Sequence, residues 1–210
     1  MSYGVYKSTF SEGHAYRYRI TDDNGEAHYV AEPTGESLPN PTRLVTISDT
    51  NGEGVGSVVP LSTSIWQWVR RFALQLMDED EPRATIEERW NLVDRILLRL
   101  PCYRIQIGER TYTAHGKRHG EVFYELYSPL EGDESDEEGE QNDLPELSDT
   151  QIIKRLERQE KLRLGVKIGE ITRPPSGANY LIDIQAASLR QNPLALTAIT
   201  ILADMHLHGQ

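Results

Sequence analysis

Two short stretches carry the residue types of a calcium loop. Asp49, Asn51, Glu53 and Gly54 fit the opening of such a loop, which alternates oxygen ligands and turns sharply at a glycine. The twelfth position must then supply a bidentate Glu, and here it is Pro60. The near-repeat upstream, Ile20 to Glu26 (I-T-D-D-N-G-E), fails sooner, because Ala27 stands in the sixth place counted from Asp22. A loop begun at Asp133 brings Gly139 one position too late. Both D-x-N-G-E stretches therefore read as hairpin turns, since Asn and Gly tolerate the positive φ of tight connections between antiparallel strands.

Other reactive side chains lack partners at a useful spacing. His115 and His119 lie four apart in H-G-K-R-H, but Gly116 and the surrounding strand pattern indicate a turn, and no third ligand is placed. His206 and His208 fall at the end of a helix. Cys102 is the one cysteine, so neither an internal disulfide nor a cysteine-based zinc site is available. Gly52 to Gly56 (G-E-G-V-G) lacks the Lys-Ser/Thr ending of a phosphate-binding loop, and no G-x-S-x-G occurs. The expectation is a protein that is not an enzyme, with no catalytic, metal-binding or cofactor-binding residues assigned. An alternative enzyme site would sit in the mouth of a barrel, among converging polar groups.

The elements that must position any site show in the patterning. Tyr16–Ile20 and Ala27–Val30 alternate apolar and polar residues around the first turn, and Arg43–Ile47 and Val55–Val59 do so around the second. Further strands are expected at Tyr103–Ile107, Thr111–Thr113, Val122–Tyr127, Val166–Ile171 and Tyr180–Ile184. Between them the spacing predicts a helical pair over 62–100. Its first helix carries Ile65, Val69, Phe72 and Leu76 on one face. Its second opens on a Thr85/Glu88 capping pair, with a stripe of Ile86, Trp90, Val93, Leu97 and Leu100. Ser148 and Gln151 open a charged helix running to about Leu164. Asn192 and Pro193 open a last helix over 192–207, apolar on every face, which must be buried on all sides.

The chain has 210 residues and a net charge of −11. Ten acidic residues and no basic ones lie between Glu131 and Asp149, leaving 23 acidic against 22 basic elsewhere. The segment 131–150 is expected to be a mobile acidic loop that attracts cations only diffusely. Acidity on this scale argues against nucleic acid. No apolar run reaches the ~18 residues of a membrane span, and the N-terminus lacks the apolar core of a signal peptide. A soluble, cytoplasmic protein is expected, or one peripheral at a membrane.

Strands in hairpins followed by an all-round apolar helix suggest a sheet closed about that helix, because closure removes sheet edges and hides the helix together. The stretches Y-R-Y-R-I-T-D-D-N-G-E-A-H-Y-V, R-L-V-T-I-S-D-T-N-G-E-G-V-G-S-V, L-P-C-Y-R-I-Q-I and G-E-I-T-R-P-P-S-G-A-N-Y-L-I-D-I, with N-P-L-A-L-T-A-I-T-I-L-A-D-M, resemble the tubby C-terminal-like superfamily in its phospholipid scramblase and LURP-one-related branch. The resemblance covers roughly two-thirds of the chain. It implies one mainly β domain over 1–210, a closed antiparallel barrel of about twelve strands around the C-terminal helix, with 62–100 and 131–164 as insertions. It also implies association with membrane phospholipid or a signalling partner. The proline-rich N-terminal region and cysteine cluster of scramblases are missing, and no lipid-binding residue of the superfamily can be matched position by position.

Trp66, Trp68 and Trp90 are the only tryptophans, and Arg70 and Arg71 follow the first two. On a helix Trp66 and Trp68 point about 200° apart, so one would stand exposed beside the arginines. That mixture suits a membrane–water or protein interface. The expected function is a non-enzymatic binding module whose candidate contact residues are Trp66, Trp68, Arg70 and Arg71, facing anionic lipid. The alternative is an interaction protein that holds another polypeptide with the helical pair and the acidic loop.

Overall fold

Period-two alternation runs through most of the chain. In a computed structural model, which describes residues 2–9, 16–34, 44–61, 69–90, 100–117, 120–129 and 165–208, these alternations become twelve strands. They are β1 (Ser2–Thr9), β2 (Tyr16–Thr21), β3 (Ala27–Thr34), β4 (Leu44–Asp49), β5 (Gly54–Pro60), β6 (Val69–Leu76), β7 (Ala84–Arg89), β8 (Cys102–Ile107), β9 (Arg110–Gly116), β10 (Val122–Ser128), β11 (Val166–Thr172) and β12 (Tyr180–Ile184). Each pairs antiparallel with the next, and β12 pairs with β1 through Ser2–Val5 against Tyr180–Asp183, which closes the barrel. A short helical turn, α1 (Ala187–Arg190), precedes the helix α2 (Pro193–His208).

Both D-x-N-G-E stretches form turns with the same internal wiring. The Asp22 carboxylate accepts from the backbone N–H groups of Asn24 and Glu26 at 2.9 Å each. Asp49 does the same for Asn51 at 2.9 Å and Glu53 at 2.7 Å. Gly25 and Gly52 take φ values of 80° and 87°, which an L side chain rarely adopts. Oδ1 of Asp22 and Oδ1 of Asp49 thus each serve two amides of their own turn.

Every residue of α2 from Leu194 to Asp204 is buried. Its neighbours in the core are inward-facing residues such as Val5, Ile20, Ile47, Leu74, Ile105, Leu126 and Ile182. The helix fills the barrel, as an all-round apolar helix must. Its two buried threonines return their hydroxyls to their own helix: Thr197 donates to Pro193 O at 3.0 Å and Thr200 to Leu196 O at 2.9 Å. A register shift between Val122 and Tyr124 breaks the alternation of β10, so that consecutive Phe123 and Tyr124 are both buried.

The helical pair over 62–100 does not form. Val69–Leu76 and Ala84–Arg89 are adjacent strands, with Phe72 opposite Ile86 and Leu74 opposite Ala84. A spacing of four is even, so Phe72 and Leu76, or Ile86 and Trp90, fit a strand face as well as a helix face. The strand stripe of β7 was hidden because its third inward residue is Glu88, a charge at 0% exposure. Thr85 lies inside β7 rather than at a helix cap. Residues 62–68 and 91–99 lie outside the described residues, as do the acidic loop 131–150 and the charged helix expected at 148–164.

Truncation of Leu202 to Ala should lower the unfolding free energy by about 2–5 kcal/mol, because the helix is enclosed and its surroundings relax only in part. Truncation of Leu61, which is 56% exposed, should change it by no more than about 0.5 kcal/mol. Urea denaturation monitored by circular dichroism measures both.

Candidate functional site

The outward face of β6, β7 and β8 gathers guanidinium groups. Strand register places Arg71 opposite Glu87, and Glu87 opposite Arg104. Arg89 lies two residues beyond Glu87 on the same face. Arg71 Nε donates to Glu87 Oε1 at 2.9 Å. Arg89 donates to Glu87 Oε2 from Nη2 at 2.7 Å and from Nε at 3.1 Å. Burial alone would raise the Glu87 pKa, but the Arg89 hydrogen bond and the charges of Arg89, Arg71 and Arg104 outweigh it and hold the carboxyl below its ordinary value. Three guanidiniums thus surround one carboxylate. Among the described outward-facing residues of β6–β9, Glu87 is the sole carboxylate. The side chains of Arg71 and Arg89 remain about half exposed, at 60% and 47%. Cys102 and His115 lie at the edge of this face, with Sγ and Nε2 3.6 Å apart.

Arg70 belongs elsewhere. Successive strand residues point to opposite faces, so Arg70 turns toward the barrel mouth, where its Nη1 lies 3.9 Å from Glu88 Oε1. The buried Glu88 accepts from the Tyr103 hydroxyl at 3.1 Å and from Trp90 Nε1 at 3.2 Å. Trp90 packs its ring against His206 of α2, with centroids 5.0 Å apart. The mouth beside Arg70 thus holds a network of satisfied polar groups.

A second buried carboxylate anchors the C-terminal part of α2 there. Asp204, 1% exposed, accepts from Lys7 Nζ at 2.6 Å, from the Tyr18 hydroxyl at 2.6 Å and from the Tyr180 hydroxyl. Burial pushes the Asp204 pKa up, and the hydrogen bonds from Lys7, Tyr18 and Tyr180 bring it below the ordinary aspartate value. Tyr180 is shifted upward, first by burial and then by the Asp204 charge. Arg173 caps the cluster, its guanidinium carbon 3.9 Å from the centre of the Phe123 ring.

Of the four residues expected to form one surface, the structure places Arg71 on the outward arginine face and Arg70 at the mouth. Trp66 and Trp68 lie outside the described residues. Arg89, Arg104 and Glu87 complete the outward face. Only register shows them together, because Arg71, Glu87 and Arg104 are separated by long stretches of sequence. Chemically the two assemblies differ. The mouth carboxylates are fully engaged and hold the helix. The outward guanidiniums offer exposed N–H donors in the planar fork that matches phosphate and carboxylate oxygen atoms.

Comparison with protein-family models, with curated proteins and with solved structures yields no match.

The Asp204 cluster makes a pH-dependent contribution to stability. Its folded pKa is lowered, so the contribution is complete above the unfolded aspartate value of about 4 and is lost as pH falls through the lower folded value. Asp204→Ala, which leaves Lys7 in a largely buried site, should cost about 3–5 kcal/mol. In denaturant titrations between pH 2 and pH 5, roughly the window of carboxylate titration, Asp204→Asn should show a shallower acid-induced loss of stability than the wild type.

Proposed function

We propose that this chain is a non-enzymatic binding module whose β6–β8 face engages an anionic, phosphate-bearing membrane surface. The observation that carries this reading is the cluster of Arg71, Arg89 and Arg104 around a single carboxylate. In a chain of net charge −11, such a face is a local reversal of sign. Each basic side chain brought near an anionic leaflet contributes about 1 kcal/mol, so the cluster supplies enough attraction for reversible, salt-sensitive association.

A closed twelve-strand antiparallel barrel filled by its C-terminal helix also accords with the arrangement implied by resemblance to the tubby-like superfamily, whose scramblase and LURP-one-related members suggested phospholipid. On this reading the protein works peripherally at a cytoplasmic membrane surface. The surface differs from the one expected from sequence: Arg71 stays, Arg70 leaves, and Arg89 and Arg104 join.

Co-sedimentation with phosphatidylcholine vesicles, with and without phosphatidylserine, tests this. Binding should require phosphatidylserine and weaken with salt. The combined Arg71→Gln, Arg89→Gln and Arg104→Gln variant should lose about a hundredfold in partitioning, whereas Glu87→Gln should bind more strongly than wild type. Equal or negligible binding by wild type and the triple variant would sink the proposal.

A further inference from the structure

The arginine face continues sideways into a wall of another kind. Strand register sets Val59 opposite Ala73. One step along, Leu61 meets Arg71, and its backbone N–H donates to Arg71 O at 2.8 Å. Val69 lies opposite Arg89. Val45 pairs with Val58, so Leu44 and Val59 are neighbours one residue further on. Successive strand residues alternate between faces. The buried Val45, Val58 and Phe72 point inward, so these apolar residues stand outward on the side of Arg71. Among the described outward-facing residues of β4–β6, Arg71 is the sole charged one, and the rest are Leu, Val, Ala, Ser, Thr and Gln.

Leu61 stands furthest out. It is 56% exposed, beside an Arg71 side chain that is 60% exposed, and it is no part of the core. One exposed leucine is ordinary on a protein surface. What sets this one apart is its place, where an uncharged strip meets the guanidiniums of Arg71, Arg89 and Arg104. A polypeptide partner would have to offer carboxylates to the arginines and separate apolar side chains to the strip. An anionic phospholipid carries both in one molecule, a phosphate above and hydrocarbon directly below. Basic side chains at headgroup depth with apolar ones just beneath are the pattern of an interfacial contact.

Granted the membrane role of the β6–β8 face, on which this step rests, we infer that Leu61 inserts into the bilayer as an apolar anchor. Arg71 and Arg89 hold lipid phosphates beside it, and Val59 and Val69 form the shoulder on which insertion stops. The partner is therefore a fluid anionic bilayer, whose acyl chains part to admit a side chain, rather than any polyanion. Association then has one component that salt screens and another that salt leaves in place.

A nitroxide at position 61 reads the depth directly. Leu61→Cys in a Cys102→Ser background, spin-labelled, is bound to fluid vesicles of dioleoyl phosphatidylcholine and phosphatidylserine. The label should become more accessible to oxygen than to a water-soluble nickel chelate, whereas a label at Arg17→Cys on β2 should stay open to the chelate. Leu61→Ala should lower partitioning about tenfold. Wild-type protein should bind these fluid vesicles more tightly than gel-phase vesicles of equal phosphatidylserine content, a comparison that needs no variant. A label at 61 that stays open to the chelate, Leu61→Ala that partitions like wild type, or equal binding to gel and fluid vesicles would each overturn the inference. If that happens while the triple arginine variant still loses binding, the arginine face stands and insertion alone falls. No binding by wild type overturns both. A dimer in sedimentation velocity that Leu61→Asp separates would assign the strip to a second copy of the chain and overturn insertion as well.

Discussion

Helix α2 has no side that water can wet, and the barrel follows from that fact. An amphipathic helix is content on the surface of a sheet. A helix buried from Leu194 to Asp204 needs apolar neighbours in every direction, and a sheet provides these only by curling until its first and last strands meet. Closure in turn removes the exposed backbone edge that an open sheet would present. The inward residues of all twelve strands and the apolar residues of α2 form one core, so neither part is stable in this form without the other.

Among the described residues, the two buried carboxylates lie at one end of the barrel. Thr197 and Thr200 satisfy themselves within the helix. Asp204 and Glu88 cannot, and each draws in donors from several strands. Lys7, Tyr18 and Tyr180 converge on Asp204, whereas Tyr103 and Trp90 converge on Glu88. These contacts fix the depth and rotation of the helix in the barrel, a specificity that apolar packing alone supplies poorly. The chemistry of the outer surface is then free to vary, and the arginine face occupies the outward side of β6–β8.

Much of the fold was legible in the sequence. Nine strands announced themselves by alternation or turn chemistry, and the terminal helix by its uniform apolarity. β1 was missed because Gly4 interrupts its outward positions. β6 and β7 were missed because residues four apart satisfy helix and strand alike, and because Glu88 broke the apolar stripe of β7. The candidate site was less legible. Arg70 and Arg71 are adjacent in sequence but point to opposite faces. Arg71, Glu87 and Arg104 are distant in sequence but opposite one another in the sheet. No local pattern carries that information, which belongs to strand register.

Ring closure has a consequence for how the protein reaches its native state. All but one of the strand pairings join strands consecutive in the chain, and such hairpins can form as soon as their residues emerge. The remaining seam, β1 with β12, must bring together residues that are nearly the whole described chain apart, after the rest of the wall is in place. The helix that belongs inside is made later still than β12. A nascent sheet therefore waits with an apolar concave side and two open edges until its final segment arrives. The slow, vulnerable stage of folding is the wait for its own plug.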